Sequence, residues 1–358
     1  MSELYEKQRV ETENIKCDGC GSNMVFDPTT QMLYCAHCGN KVEFATHETV
    51  SEQNIALAFG QADNLDDESV VFRCENCGAK VVLDRSETAK KCPYCSTAHV
   101  VQDEEIKGIK PNGVLPFAFN KDKAGEYLKA WGKKKWLAPS KFRKELKNGK
   151  MTGVYTPCFT FDSKTTSRYV GRIGERRTRT VGSGKNRRTE TYIVYRTISG
   201  TLDEFFDDVQ ISAGGRITQN ELNKLRPYMT NDAKLYEKNY LLGFMAYHYE
   251  KDVKVCWGEA KTAIDAEIRR LILSRYSYSV VDYLNVSTDH FNVSYKYVLL
   301  PVYVGHYTFK KKDYRFFVNG TNGRVWSKSP LSFWKTALLV LGIGLAFVLL
   351  FLLFNNLS

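Results

Sequence analysis

No GxxxxGKS or GxxxxGKT phosphate loop occurs anywhere in the sequence, so nothing in it supplies a motor for ATP-driven work. The opening MSELYEKQRVETEN lacks the basic start, the apolar run and the small-residue cleavage site of a secretory signal, which places the amino terminus in the cytosol. Histidine is scarce, at 6 in 358 residues, and His248, His290 and His306 fall in separate predicted elements with no carboxylate motif beside them. No catalytic residue is assigned, and no enzymatic activity is expected. A secreted disulfide framework is also a poor reading. Eight of the 10 cysteines sit in Cys-x-x-Cys pairs, while Cys158 and Cys256 stand alone in apolar surroundings.

What is present is repeated. Cys17, Cys20, Cys35 and Cys38 form one quartet and Cys74, Cys77, Cys92 and Cys95 a second, each ligand 57 positions from its counterpart (74−17, 95−38). The neighbours keep the register: Gly21 matches Gly78, Phe26 matches Leu83 and Asp27 matches Asp84. Two copies of one small metal module are implied. Four thiolates fill a tetrahedral zinc and leave no position for water or substrate, so two structural Zn2+ ions are expected. A redox Cys-x-x-Cys would want one pair beside a βαβ pattern, which is absent here. Gly21, Gly39 and Gly78 follow three of the four knuckles, where backbone amides must turn toward the sulfurs. His37 and His99, beside complete quartets, read as exposed loop residues.

The boundaries follow from composition. Ribbon one covers 15–42, an acidic linker 43–71, ribbon two 72–100, and an aromatic-rich basic α+β domain with an antiparallel sheet 109–330. Within that domain, Asn120 caps a helix carrying Ala124, Leu128 and Trp131 on one face, and Ser140 caps a second with Phe142 and Leu146. GEAKTAIDAEIRRLIL sets Ala260, Ile264, Ile268 and Leu271 on one stripe, with Asp265 and Arg269 paired outside. Period-two alternation before and after these helices predicts strands, whose Tyr and Phe read as core and cross-strand pairs.

Charge divides the chain. Residues 1–108 hold 10 Lys and Arg against 19 Asp and Glu, a balance of −9, and the remainder holds 41 against 21, a balance of +20. The acidic ribbon half disfavours a phosphate backbone as its partner and suits contact with protein. The most basic stretch, RIGERRTRTVGSGKNRR, contains Arg172, Arg176, Arg177, Arg179, Lys185, Arg187 and Arg188 against Glu175 alone, with GSG at its tip. It reads as a protruding loop or long hairpin that either grips nucleic-acid phosphates, lies on anionic lipid, or is simply solvated.

Near the carboxyl terminus, Thr336 to Phe354 is an uncharged run of 19 residues. With Trp334 and Lys335 at its entrance, the segment 334–354 is expected to be a transmembrane helix. The chain would then be a single-pass, tail-anchored protein of the cell membrane, its bulk cytoplasmic and a short tail outside.

The order of features resembles the bacterial TFIIB-type zinc-ribbon membrane proteins of the YdjG-like kind, some of them mislabelled as primosomal helicase relatives. The resemblance is carried by the paired ribbons, LPFAF (Leu115–Phe119), Trp131 with WLAPSKF at Trp136, GVYTPCF, LLGFMAYHYE, YVLLPVYV and FVNGTNGRV. It implies a membrane platform that recruits a cytosolic PspA-like envelope-stress protein, without enzymatic activity. The basic stretch 172–188 has no counterpart in that pattern. Two functions follow as expectations: a membrane-anchored ribbon adaptor for a protein partner, and a membrane-tethered nucleic-acid-binding protein using the basic stretch.

Overall fold

The computed structural model describes residues 15–44, 50–58, 69–74, 80–84, 100–102, 111–142, 146, 150–184, 187–310 and 312–356. The first ribbon forms its own antiparallel sheet from β1 (Met24–Asp27), β2 (Met32–Cys35) and β3 (Lys41–Val42). A two-residue strand β4 (Gln53–Asn54) and a single turn α1 (Ile55–Ala58) follow. The next strands are β5 (Ser69–Cys74), β6 (Lys80–Asp84), β7 (Val100–Gln102) and β8 (Gly113–Val114). Helix α2 (Lys121–Lys134) begins where the sequence predicts, the Asn120 side chain accepting from the Lys123 amide at 3.0 Å. It buries Ala124 and Leu128, and Phe142 and Leu146 join the same core.

The main sheet is organised by one strand, β9 (Lys150–Val181). Its first edge pairs antiparallel with β10 (Arg188–Ser212) from Cys158 to Val181. After β10 come the short helix α3 (Gln219–Leu225), β11 (Lys234–Leu235), β12 (Met245–Tyr247) and the long helix α4 (Val253–Ser274). The last strands are β13 (Val280–Phe309), β14 (Lys312–Asn319) and β15 (Val325–Ser327). The second edge of β9 pairs with β13 from Lys150 to Gly174. Alternation along β9 sorts the two faces. Tyr169 and Ile173 turn inward with Ile198, Leu202 and Leu284 and pack beneath Ile264, Ile268 and Ile272 of α4. The opposite face carries exposed Lys164, Arg168, Val170 and Arg172. The α4 stripe expected from the sequence is seated as expected, although Ile272 is the buried residue of the last turn and Arg269 donates to the Leu284 carbonyl at 2.8 Å.

Two expectations are corrected. The fold is not two tandem ribbons followed by a separate α+β domain and an anchor: it is dominated by antiparallel sheet, and one cysteine cluster occurs among the described residues. The VVLD strand of the second repeat, β6, pairs with β12 through Ala246↔Val82 and Tyr247↔Val81, and β12 in turn pairs with β9. The repeat's strands therefore complete the main sheet, whereas β1–β3 form a sheet of their own. Cys74 ends β5, and Cys77, Cys92 and Cys95 lie outside the described residues.

The second correction concerns α5 (Phe333–Asn356), which covers the expected membrane segment 334–354. Among the described residues no helix is long and apolar enough to cross a membrane. The tail anchor, the single-pass topology and the cell-membrane location fall with it. The start of α5 is tied to the rest of the chain by Lys335, whose ammonium donates to the carbonyls of Trp136 at 3.0 Å and Ala138 at 2.9 Å.

A polar node lies where β10 and β13 both bulge beside β9, with Asp208 and Asn292 each at φ 50. Lys296, 3% exposed, reaches Asp208 at 3.0 Å, Glu52 at 3.4 Å and the Asn231 side chain at 3.3 Å. The Asp208 amide donates to Asp162 at 2.7 Å. Burial first, then the neighbouring Glu52 and Asp208 carboxyls, push Asp162 up to about 7, while the hydrogen bond to Asp162 holds Glu52 below its ordinary value. An acid whose folded value is raised contributes stability below its unfolded value of about 4 and loses it as pH rises through 7. Asp162→Asn should therefore gain stability relative to the parent between pH 4.5 and pH 7.5 in urea melts, and parallel profiles would contradict the assignment.

Candidate metal centre

Each knuckle of the first quartet is built by the same backbone device. The Cys17 amide donates to the Ser22 carbonyl at 2.8 Å and the Gly21 amide returns to the Cys17 carbonyl at 2.7 Å. In the second knuckle Cys35 donates to Asn40 at 2.8 Å and Gly39 to Cys35 at 2.9 Å. Gly21 and Gly39 occupy left-handed backbone at φ 68 and φ 80, which explains why glycine follows each pair. The two knuckles face each other. Cys17 Sγ lies 3.4 Å from Cys38 Sγ, and Cys20 Sγ lies 3.5 Å from Cys35 Sγ. All four sulfurs fall within 4.8 Å of one another.

That geometry suits a cation among the sulfurs. Metal–sulfur bonds of about 2.3 Å in a tetrahedron put sulfurs roughly 3.8 Å apart. Without a cation the thiols cannot all ionise together. The Ser22 hydroxyl and amide hold Cys20 down to about 6, whereas Cys38, despite the lowering effect of the Asn40 amide, is pushed up to about 12 by the sulfurs of Cys17, Cys20 and Cys35. Asn40 Nδ2 also donates to Cys17 Sγ at 3.7 Å, a hydrogen bond that favours the thiolate. The four cysteines can thus hold one metal ion.

The centre is fastened to the main sheet along one side. Cys17, Met24, Leu33 and Cys35 bury together against Leu242. Phe26, on β1, enters the large core and meets Tyr240, Phe44 and Phe244 at centroid distances of 5.4, 5.9 and 6.4 Å. Its amide donates to the Leu242 carbonyl at 3.0 Å, and Gln31 Nε2 donates to the Phe117 carbonyl at 2.8 Å. Cys20 and Cys38 are exposed on the other side.

No family profile and no solved structure matches the chain. Over 330 residues, 92% of this chain and 93% of the relative, the sequence is 30% identical to the uncharacterized protein YdjG of Bacillus subtilis (strain 168). The chain belongs to the YdjG family.

For this YdjG-family chain the basic stretch takes the second of its two expected forms, the end of the long β9–β10 hairpin. Arg172, Arg176, Arg177 and Arg179 lie on β9, Arg188 begins β10, Arg187 precedes it, and Lys185 lies outside the described residues. Alternation separates them: Arg172 and Arg176 share one face, Arg177 and Arg179 the other. The hairpin runs on past Gly174, the last residue of β9 to pair with β13. Sequence reasoning missed the exposed aromatics of this arm, Tyr192, Tyr195 and Tyr283, because strand alternation shows that a residue faces one side but not which side is covered.

Two outcomes check the centre. Cys35→Ser, which removes a buried ligand, should lower bound metal by one equivalent per chain in elemental analysis; unchanged content would place the ion elsewhere. Phe26→Ala should cost about 3–5 kcal/mol in the unfolding of the ribbon, read by urea-dependent proteolysis, while metal content stays the same.

Proposed function

We propose that the first quartet is a structural zinc ribbon of the TFIIB type and that the chain is a non-enzymatic adaptor whose ribbon presents a protein-binding face. The carrying observation is the two-sidedness of the ribbon: Phe26 and Leu242 fix one flank to the main core, and the knuckle tips at Cys20, His37 and Cys38 face solvent on the other. A module held this rigidly loses little entropy when it docks, which favours recognition through the exposed tips. Thiolates at all four positions complete the coordination of zinc, consistent with a structural and not a catalytic ion. The acidic balance of residues 1–108 favours a protein over a polyanion as the partner of this half. The resemblance to the YdjG kind suggests a PspA-like envelope-stress protein.

The test is a titration of purified PspA-like protein against the full chain. Saturable binding is expected with the parent, with loss of at least tenfold in affinity for Cys20→Ser with Cys38→Ser and for the surface variant His37→Glu, which leaves the ligands in place. Equal affinity for all three chains would dismiss the ribbon as the contact.

A further inference from the structure

The solvent face of the β10–β9–β13 arm carries arginines and tyrosines side by side. Along the central strand, Arg168, Arg172 and Arg176 recur every four residues, steps of about 13 Å at strand rise, all on one face. Tyr283 stands opposite Arg172 on β13, and Tyr195 stands opposite Gly174 on β10. The tyrosines are 42% and 41% exposed. Glycine matters at 174, because a Cβ there would lie 2.5 Å from Ile193 Cγ2 and 3.0 Å from the Tyr195 ring. The ring therefore lies close over the strand at Gly174. The Arg172 guanidinium sits 4.6 Å from the centroid of Tyr195, and its ion pair with Asp282, at 3.6 Å, is exposed.

Charge is concentrated on the same part of the arm. From Arg168 to Arg196 there are nine Lys and Arg against two acids, Glu175 and Glu190, a balance of +7. Nearer the core, Asp203 and Asp289 flank Thr166 on the same face and set the lower limit of the basic surface.

We infer that this face binds single-stranded nucleic acid, with bases stacked on Tyr195 and Tyr283 and phosphates held by Arg168, Arg172 and Arg176. A duplex hides its base faces and would leave the two rings unused, whereas a single strand offers both a polyanionic backbone and π-faces. An acidic protein segment would satisfy the arginines but not the rings. The site is separate from the ribbon and does not rest on the adaptor reading.

The test is fluorescence anisotropy with the full chain and a labelled 20-nucleotide deoxythymidine oligomer, with poly-glutamate of equal length as the charge control. Tyr195→Ala and Tyr283→Ala should each weaken oligomer binding roughly 5- to 150-fold, while Tyr195→Phe and Tyr283→Phe retain it, since stacking needs the ring and not the hydroxyl. Arg168→Gln, Arg172→Gln and Arg176→Gln combined should flatten the plot of log affinity against log salt by about 2. Thermal melts of these surface variants should match the parent. Binding that survives both alanine substitutions, or poly-glutamate binding as tight as the oligomer, would overturn the proposal.

Discussion

Phe117 is the point on which the separate parts of this molecule converge. Fully buried, it stacks on Phe244 at 4.4 Å and meets Tyr303 at 4.7 Å and Tyr155 at 5.1 Å, so that one ring touches the turn before β12, the last third of β13 and the start of β9. Its carbonyl receives Gln31 of the ribbon. The turn at Gly320 closes the remaining side, where a Cβ would lie 2.5 Å from the ring. Removing such a ring would open a cavity that none of these neighbours could fill without moving the others. The sheet, the ribbon and the β14–β15 turn are thus placed by one packing site.

This convergence gives a physical content to the short motifs that carry the family resemblance. LPFAF supplies Phe117, GVYTPCF supplies Tyr155, LLGF supplies Leu242 and Phe244, YVLLPVYV supplies Tyr303, and FVNGTNGRV supplies Gly320. Far apart in sequence, they are neighbours in the fold. Each is weak as a pattern because a few aromatic and glycine residues specify little by themselves. Their joint meaning lies in contacts that no local periodicity reveals.

The sequence was most legible where chemistry is local. Cysteine spacing and the following glycines located the cysteine cluster that can hold a metal ion, and side-chain caps located α2, because those interactions span only a few residues. It was least legible where partners are remote. The second repeat copies the first in spacing, yet β6 is recruited by β12, some 160 positions away, so likeness in sequence did not carry over to likeness in placement. The apolar run of the last helix was a signal of composition alone, and no helix among the described residues is long and apolar enough to cross a membrane. The basic stretch was visible as charge, but the register that lays Tyr195 and Tyr283 beside Arg172 belongs to three strands at once. Likewise the Asp162–Lys296 node depends on two bulges that meet only across β9.

The central claim is that a metal-held ribbon is docked on a sheet that stands without it. Hydrogen exchange of the full chain with and without a chelator tests this most directly. Chelation should release the amides of Met24–Asp27 and Met32–Cys35, and that of Phe26 in its bond to Leu242, while β9 from Phe159 to Ile173, paired on both edges, keeps its protection. Loss of protection along β9 together with the ribbon, or a ribbon indifferent to the chelator, would contradict the account.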